Sequence, residues 1–196
     1  MVKFYQNREL SKKLAIRLSK WKRWSREFLP PDPLGGLQSG YARQYSIDDA
    51  FTVYLGGYLV SELKFSIPAA KQILKDMKTW MQSHGFFQYY NHINGKSKRS
   101  NGAQGSYCIY IAAAEEEGLG GSPAFYYSIK QILSTERMSL EGDILRQDRY
   151  LEAHLRSDPA SVSAVPAEFE SPLQGARVVF LSNLHQTFLE ALGAGF

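Results

Sequence analysis

The run Pro30-Pro31-Asp32-Pro33 constrains this chain more than any other feature. Each proline lacks a backbone donor, fixes its own φ and pushes its predecessor out of the helical region. No helix or sheet interior continues through such a stretch, and Gly35-Gly36 and Ser39-Gly40 extend the break. Whatever helices precede residue 30 must stop there, and those that follow must start afresh with their own caps.

Upstream of the break, Leu10 and Leu14 lie four apart within Glu9-Leu10-Ser11-Lys12-Lys13-Leu14, one apolar stripe on a short helix. A second short helix is expected over residues 19–27, with Ser19 as its N-cap. Leu18, Trp21 and Trp24 are spaced to face inward, while Lys20, Lys22, Arg23 and Arg26 cover the rest. Two short helices joined by a tight turn, the second densely basic, outline a helix-turn-helix.

Downstream, Leu37 and Tyr41-Ala42-Arg43-Gln44-Tyr45 stand among glycines and read as a small hairpin or wing. Ser46, with Asp49 three residues on, opens a third helix in near capping-box fashion, running to Glu62 or Lys64. Gly56-Gly57 inside that helix costs roughly 1 kcal/mol per glycine against alanine, which signals close approach by a neighbouring element. Ser66-Ile67-Pro68 starts a fourth helix, serine as cap and proline harmless in the first turn. Ile67, Ala70, Ile73, Leu74, Met77 and Met81 follow at helical spacing, with Lys71, Lys75 and Lys78 outside and Gly85 as the stop.

Charge is unevenly distributed. The 196 residues carry a formal net charge of +4, but residues 1–45 hold ten basic side chains against Glu9, Glu27 and Asp32, whereas from residue 85 onward nine basic groups face twelve acidic ones. Positive charge concentrated this way attracts a polyanion and releases its counterions; a merely solvated basic helix face is the plainer alternative.

Beyond residue 85 the character changes. Residues 86–93 are aromatic and read as a strand, and residues 94–105 as a polar loop. Residues 106–113 form a strong strand, with Tyr107, Ile109 and Ile111 alternating against Cys108 and Tyr110, and residues 124–133 form another. Residues 136–155 read as helical or irregular, 158–172 as a linker and 176–181 as a strand. Ser182 is expected to cap a last amphipathic helix lined by Leu184, Phe188, Leu189 and Leu192 and stopped by Gly193. The expected organisation is α+β: a mostly helical domain over residues 1–84 and a small α+β domain over 85–196.

In order, Glu9 to Ile16, Lys20-Trp21-Lys22-Arg23-Trp24, Leu29-Pro30-Pro31, Gly40 to Ser46, Asp48-Asp49-Ala50 and Leu63 to Ile67 resemble the MerR-family DNA-binding domain over about residues 3–80. The resemblance implies a winged helix-turn-helix followed by a helix pair. It places Arg17, Ser19, Lys20, Lys22 and Arg23 on or at the start of the recognition helix, with Leu18 and Trp21 on its core side. Trp24 matches a family aromatic packed beside the DNA backbone, Arg43 the wing arginine and Tyr41 the adjoining wing aromatic. Lysine and arginine neutralise phosphates, and arginine can also read guanine edges. The expected function is sequence-specific transcriptional regulation in the cytoplasm, with double-stranded DNA, a second copy of the chain and RNA polymerase as partners.

The chain also departs from the family. Gly85 and an aromatic run stand where members continue into a long dimerisation helix, so pairing is expected from residues 106–113 and 124–133 and from the C-terminal helix. The remaining residues are weak evidence for other chemistry. Lys96, Lys98 and Arg99 sit in a polar loop, and Glu115-Glu116-Glu117 reads as a solvent-facing turn. His84, His92, His154 and His185 are scattered, and the single cysteine, Cys108, allows neither an intramolecular disulfide nor a CxxC metal site. No catalytic motif, metal site or cofactor site is expected, no stretch reaches the length of a membrane span, and the opening residues lack the apolar run of a secretory leader.

Two alternatives remain. Phe86, Phe87, Tyr89, Tyr90, Tyr107, Tyr110, Phe125, Tyr126 and Tyr127 could line an apolar pocket for a small-molecule effector, though such residues more often form the core of a small sheet. In the other, the chain is a protein-interaction or architectural module whose basic helix meets an acidic partner.

Overall fold

The computed structural model describes residues 4–32, 42–87, 105–113, 123–140, 143–157 and 175–193. These residues form five helices and two antiparallel sheets, an α+β chain that divides into two compact units. Unit one comprises residues 1–104 together with 184–196, and unit two residues 105–183. The C-terminal helix, expected in the second domain, therefore lies for most of its length in the first unit, and the division does not follow the 84/85 boundary.

In unit one, β1 (Tyr5–Gln6) leads into α1 (Asn7–Lys13) and α2 (Leu18–Phe28). The turn between the helices holds Ala15 at φ +52, a left-handed conformation, and is tied by the Ser11 hydroxyl donating to the Ile16 carbonyl at 2.6 Å. The proline break acts as its chemistry requires. Leu29 follows α2 at φ −114 and ψ 154, the extended conformation that a residue before proline must take. The first helix pair is closed by β2 (Gln44–Tyr45), at the end of the stretch expected as a small hairpin or wing; it pairs antiparallel with β1, a strand the sequence pattern did not reveal, Tyr5 opposite Tyr45.

The next helices start as their caps dictate. At the head of α3 (Ile47–Ser61) the Ser46 hydroxyl accepts from the Asp49 N–H, and the Asp49 carboxylate accepts from the Ser46 N–H, both at 3.1 Å. At the head of α4 (Ile67–Ser83) Ser66 accepts from the Ala69 N–H, with Pro68 in the first turn. The glycine pair in α3 is where α2 crosses it. A Cβ on Gly57 would lie 2.2 Å from the Trp24 ring, and one on Gly56 2.6 Å from the Phe28 ring. Trp21, Trp24, Phe51, Val53, Ile73 and Met77 are buried in the resulting core.

Within unit one, the residues of α5 (Leu181–Leu192) from position 184 onward complete that core. The Phe188 ring lies 5.2 Å from Phe51, and Lys13 Nζ donates to the Leu192 carbonyl at 3.0 Å. Phe86 and Phe87, expected to begin a strand, are buried in non-strand backbone after α4.

Unit two is a four-stranded antiparallel sheet in the order β5-β4-β3-β6, built from β3 (Ser106–Ala113), β4 (Phe125–Leu140), β5 (Asp143–Arg156) and β6 (Arg177–Val179). Ile109 pairs with both Ile129 and Val179, so these three share one face, and all are buried. Beyond Ser106, the first residue of β3, β4 and β5 continue as a two-stranded ribbon from Ser134 opposite Arg149 to Leu140 opposite Asp143. This corrects the reading of residues 136–155 as helical or irregular. Residues 133–137 are all exposed, so this stretch of β4 lacks the alternating burial that marks a strand. Ser182 is also not a cap: it lies inside the first turn of α5, where its hydroxyl accepts from the Tyr107 N–H at 2.9 Å and donates to the Gly105 carbonyl.

Candidate nucleic-acid interface

An α-helix turns 100° per residue, and the order of side chains on α2 sorts them cleanly. Trp21, Trp24 and Ser25 are buried on one side, whereas Arg17, Ser19, Lys22, Arg23 and Arg26 are exposed. Ser19, Lys22 and Arg26 are spaced i, i+3 and i+7, and Ser19 and Arg23 i, i+4, so these four form one arc. The only acid on the helix, Glu27, is drawn away from it. Its carboxylate accepts from Lys71 of α4 at 2.8 Å, and that lysine holds it below the usual carboxylate range. The arc is left with three basic side chains and no acid.

The helix starts differently from the sequence expectation. Arg17 is the N-cap, and Ser19 is the second residue of the helix. No side chain caps the α2 N-terminus, so its first-turn N–H groups remain for water or an anion.

Beside α2 runs an open groove of about 710 Å3, lined by Ser19, Lys22 and Arg26 from the helix, by the Leu29 to Asp32 stretch, and by Asn7, Arg43 and Tyr45. Arg43 is held in place from two sides. Its guanidinium donates to the Pro30 carbonyl at 2.9 Å and stands 5.6 Å from the Tyr45 ring centre. Tyr45 is fixed in turn. Its hydroxyl donates to the Asn7 side-chain carbonyl at 2.7 Å, which commits its one proton, so the buried Ser25 hydroxyl is the donor in their 2.7 Å contact. This Ser25-Tyr45-Asn7 chain links α2, β2 and α1 beneath the groove.

Of the sequence-expected site residues, Ser19, Lys22 and Arg43 line this groove, while Arg17 and Arg23 are exposed on α2 outside its lining. Lys20 is half-buried, its ammonium 4.6 Å above the Trp24 ring. With 7% of its surface exposed and its ring against Gly57, Trp24 packs between α2 and α3 and also lies under the Lys20 ammonium. The reason is the glycine pair, which lets α3 come close enough to cover the indole. Of the stretch expected as a wing, Leu37 and Tyr41 lie outside the described residues, whereas Arg43 lines the groove and Gln44–Tyr45 form β2. Arg26 and Asn7 were not among the expected site residues. The spacing of Arg26 from Lys22 and Ser19 could have found it, whereas Asn7 is brought in only by the β1–β2 pairing.

Elsewhere, of the aromatic set proposed for an effector pocket, Tyr89 and Tyr90 lie outside the described residues. Phe86 and Phe87 belong to unit one. Tyr107 and Tyr127 are buried on the Ile109 face of the sheet, and Tyr110 and Tyr126 fall on its opposite face by strand alternation. Cys108 is buried, and burial pushes its thiol above the ordinary value, which keeps it unreactive. Among the described residues no group of His, Cys, Asp and Glu side chains is placed to hold a metal ion, and no helix is long and apolar enough to cross a membrane. No protein-family model, curated protein or solved structure matches the chain.

Proposed function

We propose that unit one binds double-stranded DNA through α2 and the groove beside it, as a winged helix-turn-helix of MerR type, and that the chain regulates transcription from an inverted-repeat site as a homodimer. The observation that carries this reading is the convergence of Lys22, Arg26 and Arg43 with Ser19 on one groove, opposite the side on which α2 is anchored by Trp21 and Trp24. With its side chains the 11-residue helix is about 10–12 Å across, a size that enters a major groove about 12 Å wide. Its uncapped first turn supplies backbone donors for a phosphate, and the lysine and arginines add charge-assisted contacts. Arg43, preset against Pro30 and Tyr45, needs little ordering on binding, which favours affinity. Pairing follows from size, because one such module buries too little surface for tight and specific binding.

The test is selection from a random duplex library with sequencing of the retained DNA, at two salt concentrations. The expected result is an enriched inverted repeat with affinity that falls steeply with salt. Retention without any enriched sequence at either salt would leave a general polyanion binder and sink the regulator reading.

A further inference from the structure

Unit one contains a second concavity, of about 780 Å3, between the end of α2, the first turn of α3 and the length of α4. Its size falls within the range of small-molecule sites, roughly 300–1,000 Å3. The floor is apolar, formed by the half-buried Phe28 and the buried Leu74, Met81 and Phe87. One wall carries Lys71, Lys75 and Lys78, spaced i, i+4 and i+7 so that all three share one face of α4. Lys71 is committed to Glu27. Lys75 and Lys78 are exposed and have no ion-pair partner among the described residues. The facing wall is acidic, with Asp48 and Asp49, and Asp49 is already engaged by Ser46.

We propose that this concavity binds a small amphipathic carboxylate, its chain on the Phe28-Leu74-Met81 floor and its head group on Lys75 and Lys78. The α4 wall selects the sign, since the Asp49 carboxylate is held by Ser46 and Asp48 too is already engaged. A cationic head would face two lysines, and a neutral apolar molecule would leave both unpaired, whereas a carboxylate completes the α4 wall and keeps clear of Asp48. The lysines flank a recess with an apolar floor, which fits a free ligand. Leu29 and Pro30 line both this concavity and the α2 groove, and the Pro30 carbonyl is what holds Arg43. An occupant here therefore bears directly on the segment that positions Arg43. That regulatory consequence rests on the DNA-binding reading above; the binding itself does not.

The experiment is calorimetric titration of the full chain with dodecanoate below its micellar concentration, with dodecanol and dodecyltrimethylammonium as equal-length controls. One saturable site is expected for dodecanoate, with at least about tenfold weaker binding of both controls. Lys75→Gln/Lys78→Gln should lose about tenfold or more in affinity, in proportion to two charge-assisted contacts. Arg8→Gln/Lys12→Gln, which removes two exposed cations of α1 instead, should bind as the native chain does. Absence of a saturable site, equal binding of the cationic or neutral analogue, or unchanged affinity in the α4 double variant would each overturn the proposal.

Discussion

His185 sits in the core of unit one with 5% of its surface exposed, its ring 4.6 Å from Phe51 and 5.3 Å from Phe86. Burial disfavours the imidazolium, and a backbone hydrogen bond with Phe86 only partly offsets this, so its pKa falls from the ordinary 6.5 to about 4. The sign of the consequence follows from proton counting. Between pH 6.5 and 4 the unfolded chain binds a proton at this site that the folded chain refuses, so stability is complete above about pH 6.5 and declines as pH falls. The slope is about 1.4 kcal/mol per pH unit, about 3 kcal/mol over the whole window, and flat below it. That is a large part of the total stability of a domain, about 5–15 kcal/mol. The comparison is with His185→Gln, which keeps an N–H donor and does not titrate. All three tryptophans, Trp21, Trp24 and Trp80, lie in unit one, so urea unfolding followed by their fluorescence reports that unit alone. Because His84 stacks on Trp80 at 4.2 Å, midpoints and slopes should be compared rather than amplitudes. Carboxylates titrate in both proteins and cancel in the difference. The variant is expected to be the weaker at pH 7 and to gain on the native chain by about 3 kcal/mol on going to pH 4. Parallel pH profiles would refute the reasoning, because they would mean that His185 carries its proton as easily folded as unfolded.

Three further outcomes follow from contacts already described. Gly57→Ala places a methyl 2.2 Å from the Trp24 ring where carbon contacts need about 3.6 Å, so despite a helix-propensity gain it should destabilise unit one by about 1–3 kcal/mol in the same urea assay; a neutral or stabilising result would mean that α2 and α3 are not clamped there. Tyr45→Phe removes the acceptor for buried Ser25 and the donor to Asn7, an expected loss of about 1–3 kcal/mol. Ser25→Ala on that background should add little, and full additivity of the two would argue that they do not form one network. Arg26→Ala should weaken duplex binding across sequences and reduce the slope of log affinity against log salt by about 1, a phosphate-contact signature; an unchanged slope would remove Arg26 from the interface.

How much of this was legible in the sequence depends on how local the cause is. The end of α2 at Leu29 and the starts of α3 and α4 at Ser46 and Ser66 are set by neighbouring residues, through proline sterics and cap hydrogen bonds, and they fall where the sequence put them. The helix-propensity cost of Gly56-Gly57 was legible in the sequence, and the close packing of Trp24 and Phe28 is its reason. The misses share the opposite property. A two-residue strand such as β1 has no period to detect, yet its pairing with β2 brings Asn7 under the groove and Tyr45 against Arg43. The β4–β5 ribbon is exposed at residues 133–137, so burial imposes no alternation on that stretch of sequence. Ser19 looked like a cap because serine at a helix start usually is one, but α2 begins one residue earlier and leaves its first-turn N–H groups uncapped. The basic residues of the candidate interface were visible because charge needs no long-range partner to stay at the surface. What selects among them is long-range: Gly57 draws Trp24 into the core, Lys71 draws Glu27 off the arc, and Pro30 and Tyr45 fix Arg43 beside Lys22 and Arg26. A sequence pattern can therefore nominate a basic helix, and only the packing around it decides which of its cations are free to meet a phosphate.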